Sequence, residues 1–290
     1  LHHVVSNHMA DPKLPRPSIP GGSVGSYTPG AEAQVIAENA GAPVPAGGKL
    51  NFQMHYTTTG KAATDRTQIG FYVLKDAPQF IKRSTVIGDF GLKIPKGEAR
   101  HRETAYVKLP ADAYLYTLYP HAHYRGYHVE LKRILPDGTE EMLLSLPKYD
   151  FNWQRDYDPV EPILVTKGTK LVATWVYDNS ANNRANPNPN IDVTWGEQSH
   201  EEMMYFRINY RWADETVDNV RNDLQSQMMA SVFFGMIDDN YDELIQRDEL
   251  KGMMASLKSR FDALDTDKSG ALDVRELAAS GIMNMIPRDG

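Results

Sequence analysis

Cysteine is absent from all 290 residues. Disulfides, thiolate zinc sites, iron–sulfur clusters and cysteine nucleophiles are thereby excluded. Any transition metal must be held by His, Met, Asp or Glu. Long apolar runs are lacking too, and none approaches the roughly 20 residues that a membrane-spanning helix needs. There is no surplus of positive charge: the net charge is −7. From Ala213 onward sixteen acids stand against eight bases, a net of −8, so the body before it is near neutral at +1. Nothing there suggests a nucleic-acid surface. The pattern G-x-x-x-x-G-K-[ST] is missing, and with it support for phosphate-loop chemistry.

What is present is ordinary for a globular protein, at 41% hydrophobic and 24% charged residues. The length fits two or three domains. The opening "LHHVVSNHMA" neither begins with Met nor shows a signal-peptide pattern, and it reads as the start of a fragment or processed product. Residues 1–48 are rich in Pro and Gly, which punctuate short strands. "KLNFQMHYTTTG" alternates as a strand: Phe52, Met54 and Tyr56 fall on one face, Gln53, His55 and Thr57 on the other. "TQIGFYVLK" reads as a second strand, and residues 75–103 as a mixed, charged connection. Strands resume around a turn at Pro136-Asp137-Gly138, and a further pair is expected around Lys167-Gly168. "EEMMYFRINYRW" closes the β-rich part. Beyond Ala213 the period changes. Met229, Phe233 and Met236 recur at helical spacing, as do Met254, Leu257, Phe261 and Leu264. The expected fold is mainly β: two β-rich units, residues 1–103 and 104–212, followed by a helical domain at 213–290.

The nine histidines are clustered. His121-Ala122-His123 is the sharpest case, because residues i and i+2 of a strand point to one face and can reach one ion. Imidazole suits copper, zinc, iron and nickel. A solvent-facing pair, or a core histidine beside an exposed one, is the alternative. His2-His3 is a vicinal pair whose side chains diverge in a regular strand, and a purification-tag remnant is its alternative. His55 lies on the polar face of its strand. Met203 and Met204 follow Glu201-Glu202; a thioether there is a core residue unless histidines stand beside it, where soft sulfur favours Cu(I).

"DTDKSGALDVRE" has calcium-loop spacing. Asp265, Asp267 and Ser269 occupy positions 1, 3 and 5, Gly270 the turn, Ala271 the carbonyl position, Asp273 position 9 and Glu276 position 12. "DDNYDELIQRDE" repeats the spacing with Asp238, Asn240, Asp242, Leu244, Gln246 and Glu249, but Glu243 stands where the turn glycine belongs. It comes first in the chain and is another candidate calcium loop, or an empty partner of the loop 265–276.

Together, "LHHVV", "FQMHYTTTGKAATDR", "YPHAHYRG" and "WGEQSHEEMMYF" resemble, in order and rough spacing, the motifs of the copper type II, ascorbate-dependent monooxygenases. These are the enzymes related to peptidylglycine α-hydroxylating monooxygenase and dopamine β-monooxygenase. The resemblance covers about residues 1–212. It implies two jelly-roll-like β-sandwiches, each with one copper, the first holding the electron-transfer site and incomplete at its start. His2, His3 and His55 are the implied electron-transfer ligands. His121, His123 and Met203, with Met204 as the second choice, are the implied ligands of the oxygen-activating site. The implied activity is hydroxylation of a C–H bond of an organic substrate with O2 and an external reductant such as ascorbate or a redox protein. The chain departs from the peptide-amidating enzyme at Tyr119, Tyr205 and Arg207, where that enzyme has Arg, Asn and Tyr. A peptidylglycine substrate is therefore not implied. The pattern is closer to bacterial relatives, which implies a periplasmic or secreted setting. A non-catalytic copper- and calcium-binding module is the alternative from a different class.

Overall fold

The computed structural model describes residues 3–14, 23–28, 31–36, 39–56 and 60–279, with the backbone alone at His3, Met253 and Ala278. The chain is mainly β. Its strands are β1 (His3–Met9), β2 (Ser23–Tyr27), β3 (Ala40–Gly41), β4 (Lys49–His55), β5 (Phe80–Ile81), β6 (Arg83–Asp89), β7 (Lys93–Ile94), β8 (His101–Lys108) and β9 (Ala113–His121). They continue as β10 (Gly126–Ile134), β11 (Glu140–Leu146), β12 (Ile163–Val165), β13 (Lys170–Tyr177), β14 (Val193–Thr194), β15 (Met204–Trp212), β16 (Ile245–Gln246) and β17 (Ala271–Leu272). The helices are α1 (Asn222–Gly235), a 3-10 helix (Gly252–Arg260), α2 (Phe261–Leu264) and α3 (Val274–Ala279).

Two four-stranded sheets, ordered β11-β10-β13-β8 and β12-β9-β15-β6, enclose the main core. Alternation explains which face is inside. In β15, Met204, Phe206, Ile208, Tyr210 and Trp212 are all fully buried. In β13, Leu171, Ala173, Trp175 and Tyr177 face them from the opposite sheet. The strands on either side of Lys167-Gly168 do not pair with each other as expected: β12 joins β9, whereas β13 lies between β10 and β8. The turn carries the chain from one sheet to the other.

The expected boundary between residues 103 and 104 falls inside β8. The segment 75–103, expected to be a connection, supplies β6, which pairs along its whole length with β15. Ile87 and Ile94 from this segment are fully buried, so it is part of the core. The strand expected over 67–75 does not form: the segment pairs with no strand, and Tyr72 and Val73 are 98% and 88% exposed. Without a partner its backbone groups are better satisfied by water. What precedes it is a three-stranded sheet, β2-β1-β4, rather than a second closed sandwich among the described residues.

The C-terminal part is only partly α-helical, since Gly252–Arg260 is a 3-10 helix. In α1 the buried positions are Leu224, Met228, Phe234 and Gly235, one step off the expected Met229–Phe233–Met236 stripe. Gly235 sets that phase. A Cβ there would lie 2.0 Å from the Tyr106 carbonyl oxygen, so only glycine lets α1 approach β8 this closely. Tyr106 and Val172, on the outer face of the β8–β13 sheet, join Phe234, Ile237, Ile245, Leu257 and Leu272 in a second core.

Candidate functional site

His121 points away from the core because of one extra residue. Asn209 pairs with Thr117, but Tyr210 pairs with Leu115, so Tyr116 is a β-bulge. Before the bulge Ala113 and Leu115 face the core; after it Leu118 does. Tyr116 and Thr117 therefore both face outward, and Tyr119 and His121 follow them on that face. With strict alternation from Leu115, His121 would be a core residue. Nothing in the strand pattern marks this bulge in advance.

Along this outer face His121 pairs with Tyr205, Tyr119 with Arg207 and Thr117 with Asn209. The ladder ends at the His121–Tyr205 pair, and Met203, just beyond it, is joined to His123 through Glu202, whose carboxylate accepts from both backbone N–H groups. Met204 lies on the other face, fully buried in the core, and is excluded as the thioether of the pair.

The His121 and His123 rings lie 5.2 Å apart at 88°. Each is oriented through Nδ1. His121 Nδ1 is 2.5 Å from Gln154 Oε1, and His123 Nδ1 is 3.3 Å from the Glu201 carbonyl oxygen. Gln154 is buried and its Nε2 donates to the Phe151 carbonyl at 2.8 Å, which fixes Oε1 toward the imidazole. Both partners can only accept, so each ring carries a proton on Nδ1, and in its neutral form its lone pair is on Nε2. Neutral imidazole with one nitrogen donating to the protein is the form that metal-bound histidines adopt. The Tyr205 edge packs on His121 and Phe151 on His123. Two imidazoles and a thioether are a donor set that suits copper and stabilises Cu(I), so the residues fit the implied metal.

A buried polar framework holds the turn between the two histidines. Glu202, fully buried, accepts backbone N–H bonds from His123, from Arg125 at 2.9 Å and from Met203 at 2.9 Å. Burial pushes its carboxyl up to about 7 despite these donors and the nearby Arg125 charge. Arg125, 1% exposed, binds Asn179 Oδ1 through Nε and the His200 carbonyl through Nη1, each at 2.9 Å. The Tyr149 hydroxyl accepts from Ala122 N and donates to Ala122 O, pinning the residue between the two histidines. Sequence reasoning missed Gln154, Glu202, Arg125 and Tyr149. Glu202 alone had a visible signal, as part of the acidic pair before Met203.

Of the other implied site, His2 lies outside the described residues. The backbone of β1 places His3 directly opposite His55 of β4. His55 lines a 290 Å3 pocket with Gln53, Tyr56 and the segment Glu197–Ser199, and Gln53 Nε2 donates to Glu197 Oε2 at 2.7 Å. The His55 strand therefore adjoins the loop that leads to Met203. A larger cleft of 510 Å3 lies on the outer face beyond Tyr119, between Lys82, Tyr119, Arg207, Asp156 and the segment 31–36. Burial raises the Tyr119 hydroxyl to about 12.

The two acidic loops match bond for bond. Asp265 Oδ1 accepts from Ser269 N and Oδ2 from Gly270 N; Asp238 Oδ1 accepts from Asp242 N and Oδ2 from Glu243 N. Glu276 closes one loop on Thr266 N and Asp273 N, and Glu249 closes the other on Asp239 N and Gln246 N. Ile245 and Leu272 pair across β16 and β17. The turn residues Glu243 and Gly270 have φ of 71° and 86°. Only in the second loop do carboxylates converge: oxygens of Asp265, Asp267 and Glu276 all lie within 4.8 Å of one another.

No family model matches the chain, and no curated protein does. Among solved structures it is similar to dimeric latent PorU from Porphyromonas gingivalis, at 9% identity and TM-score 0.21, over 49% of this chain and 14% of that one. It is also similar to the Yersinia pseudotuberculosis-derived mitogen, at 10% identity and TM-score 0.18, over 47% of this chain and 90% of that one. Likenesses this slight carry no inference about activity.

Proposed function

We propose that the chain is a copper-dependent monooxygenase that hydroxylates a C–H bond of an organic substrate, using O2 and an external reductant. The carrying observation is the matched arrangement of His121 and His123: both are held by Nδ1 on acceptor oxygens, and their rings lie 5.2 Å apart, which in the neutral form puts both lone pairs on Nε2. His121, His123 and Met203 would hold one copper, and His2, His3 and His55 a second. Copper held by two imidazoles and a thioether supplies one-electron chemistry toward O2.

The chain's own residues do the rest. Gln154 and the Glu201 carbonyl keep the Nδ1 protons in place. Glu202 gathers the backbone N–H groups of His123, Arg125 and Met203, which holds His123 to the segment that carries Met203. Tyr205 and Phe151 wall the rings with hydrocarbon. The cleft beside Tyr119 lies on the same sheet face as His121 and is the place for the substrate. The C-terminal part is read as an EF-hand pair that binds calcium, and the whole as a periplasmic or secreted protein. Copper loading followed by metal analysis tests the reading. Two coppers per chain are expected, with one lost in a His121→Ala/His123→Ala variant. Fewer than two, or an unchanged count in that variant, would sink it.

A further inference from the structure

The two C-terminal loops share a backbone cage but differ in what fills it. In the second loop three carboxylates converge with no amide between them, and charges so placed repel unless a cation joins them. In the first loop the side chains at positions 3, 5 and 9 bond to one another. Asn240 Nδ2 donates to Gln246 Oε1 at 3.1 Å, and Gln246 Nε2 donates to Asp242 Oδ2 at 3.0 Å. Amide N–H groups thus occupy the space and lone pairs that a cation needs.

The residue at its turn has a different partner. Glu243 adopts a left-handed φ of 71°, which costs a non-glycine residue energy. Its carboxylate meets Lys108 Nζ of β8 at 2.6 Å and Lys170 Nζ of β13 at 3.0 Å. Lys170 also donates to the Tyr241 carbonyl at 2.7 Å. The Tyr106 hydroxyl of β8 donates to Asp238 Oδ2 at 2.6 Å. The first loop is therefore tied to the sandwich by three side chains from two adjacent strands. The second loop has no such tie among the described residues.

We propose that residues 238–249 are a cation-free clamp, closed by their own amides and by Lys108 and Lys170, which fixes the helical part to the sandwich, so that the chain binds one calcium, in the loop 265–276. This rests on the EF-hand reading above and narrows it. Calorimetric titration of the full chain with calcium is expected to give one site, abolished in Glu276→Gln and retained in Glu249→Gln. Two sites, one of them lost in Glu249→Gln, overturn the clamp and leave the EF-hand reading intact; no site overturns both. Hydrogen exchange in chelator tests the tie itself. In Lys108→Met/Lys170→Met, amides of residues 238–250 should exchange about three- to tenfold faster, the effect of losing two partly exposed ion pairs. Unchanged exchange there overturns the docking role.

Discussion

Replacing Gln154 by leucine tests the logic of the histidine pair directly. The substitution keeps the volume and removes the amide. Three contacts go: the acceptor for His121 Nδ1–H at 2.5 Å, the donor to the Phe151 carbonyl at 2.8 Å, and a long contact from the Tyr119 hydroxyl at 3.4 Å. The last is too long to count for much. The Phe151 carbonyl loses its donor in a buried setting, and His121 Nδ1 in a half-buried one that water can partly restore. Together these cost roughly 2–3 kcal/mol of stability. The metal effect is separate. One net hydrogen bond of about 1.4 kcal/mol biases the imidazole tautomer about tenfold. Copper affinity at the site lost in His121→Ala/His123→Ala should therefore fall by about tenfold, at the low end of what outer-shell changes produce. Competition for Cu(I) against a colorimetric chelator under nitrogen measures it. Gln154→Glu restores an acceptor and should recover the affinity. The reasoning fails if Gln154→Leu binds copper as tightly as the parent chain, or if Gln154→Glu falls as far as the leucine variant.

Two further outcomes follow from buried charges. Burial, and then the charge of Glu103, raise Asp89 to about 7, well above its ordinary value. Its proton is held more tightly in the folded chain, so the folded state is favoured below pH 3.8 and loses that advantage as pH rises to about 7. Asp89→Asn keeps the acceptor for Gly91 N and should stabilise the protein at pH 8 by about 2 kcal/mol, after discounting for partial exposure, with little change at pH 4; equal melting shifts at both pH values would contradict it. Arg83 and Glu215 form a buried two-bond pair, Nε–Oε2 at 2.7 Å and Nη2–Oε1 at 2.5 Å, which joins β6 to the segment before α1. Glu215→Ala leaves the guanidinium uncompensated and should cost about 3–5 kcal/mol in urea unfolding; a loss under 1 kcal/mol would show that water reaches it.

Much of the β structure is legible in the sequence, because most of its strands alternate or are bounded by turn residues. The strand at 49–55, the hairpin around Pro136-Asp137-Gly138 and the closing strand at 204–212 all lie where the pattern puts them. β6 is not legible. Arg83, Thr85, Ile87 and Asp89 mix charge with apolar groups, and Arg83 is buried only because Glu215, 132 residues away, neutralises it. The segment 67–75 errs the other way, since it has strand propensity but no neighbouring strand to pair with. The HxH motif and the spacing of both acidic loops are legible, because they are local. Gln154, Glu202 and Arg125 are not, because each reaches the histidine turn from a distant part of the chain. The phase of α1 is set by the close approach of Gly235 to Tyr106, which no helical periodicity encodes.

The bulge at Tyr116 makes the site a matter of counting. With Tyr116 deleted, Leu115 to His121 would be five steps, so a regular strand would still carry His121 outward and Leu118 inward. With Tyr116 kept but the bulge ironed flat, the same stretch is six steps, and His121 would turn toward the aromatic interior and Leu118 toward water. The face that carries the candidate pair therefore depends on the strand absorbing one extra residue locally instead of passing it down the ladder. A substitution that abolishes the bulge could bury His121 without altering any donor atom.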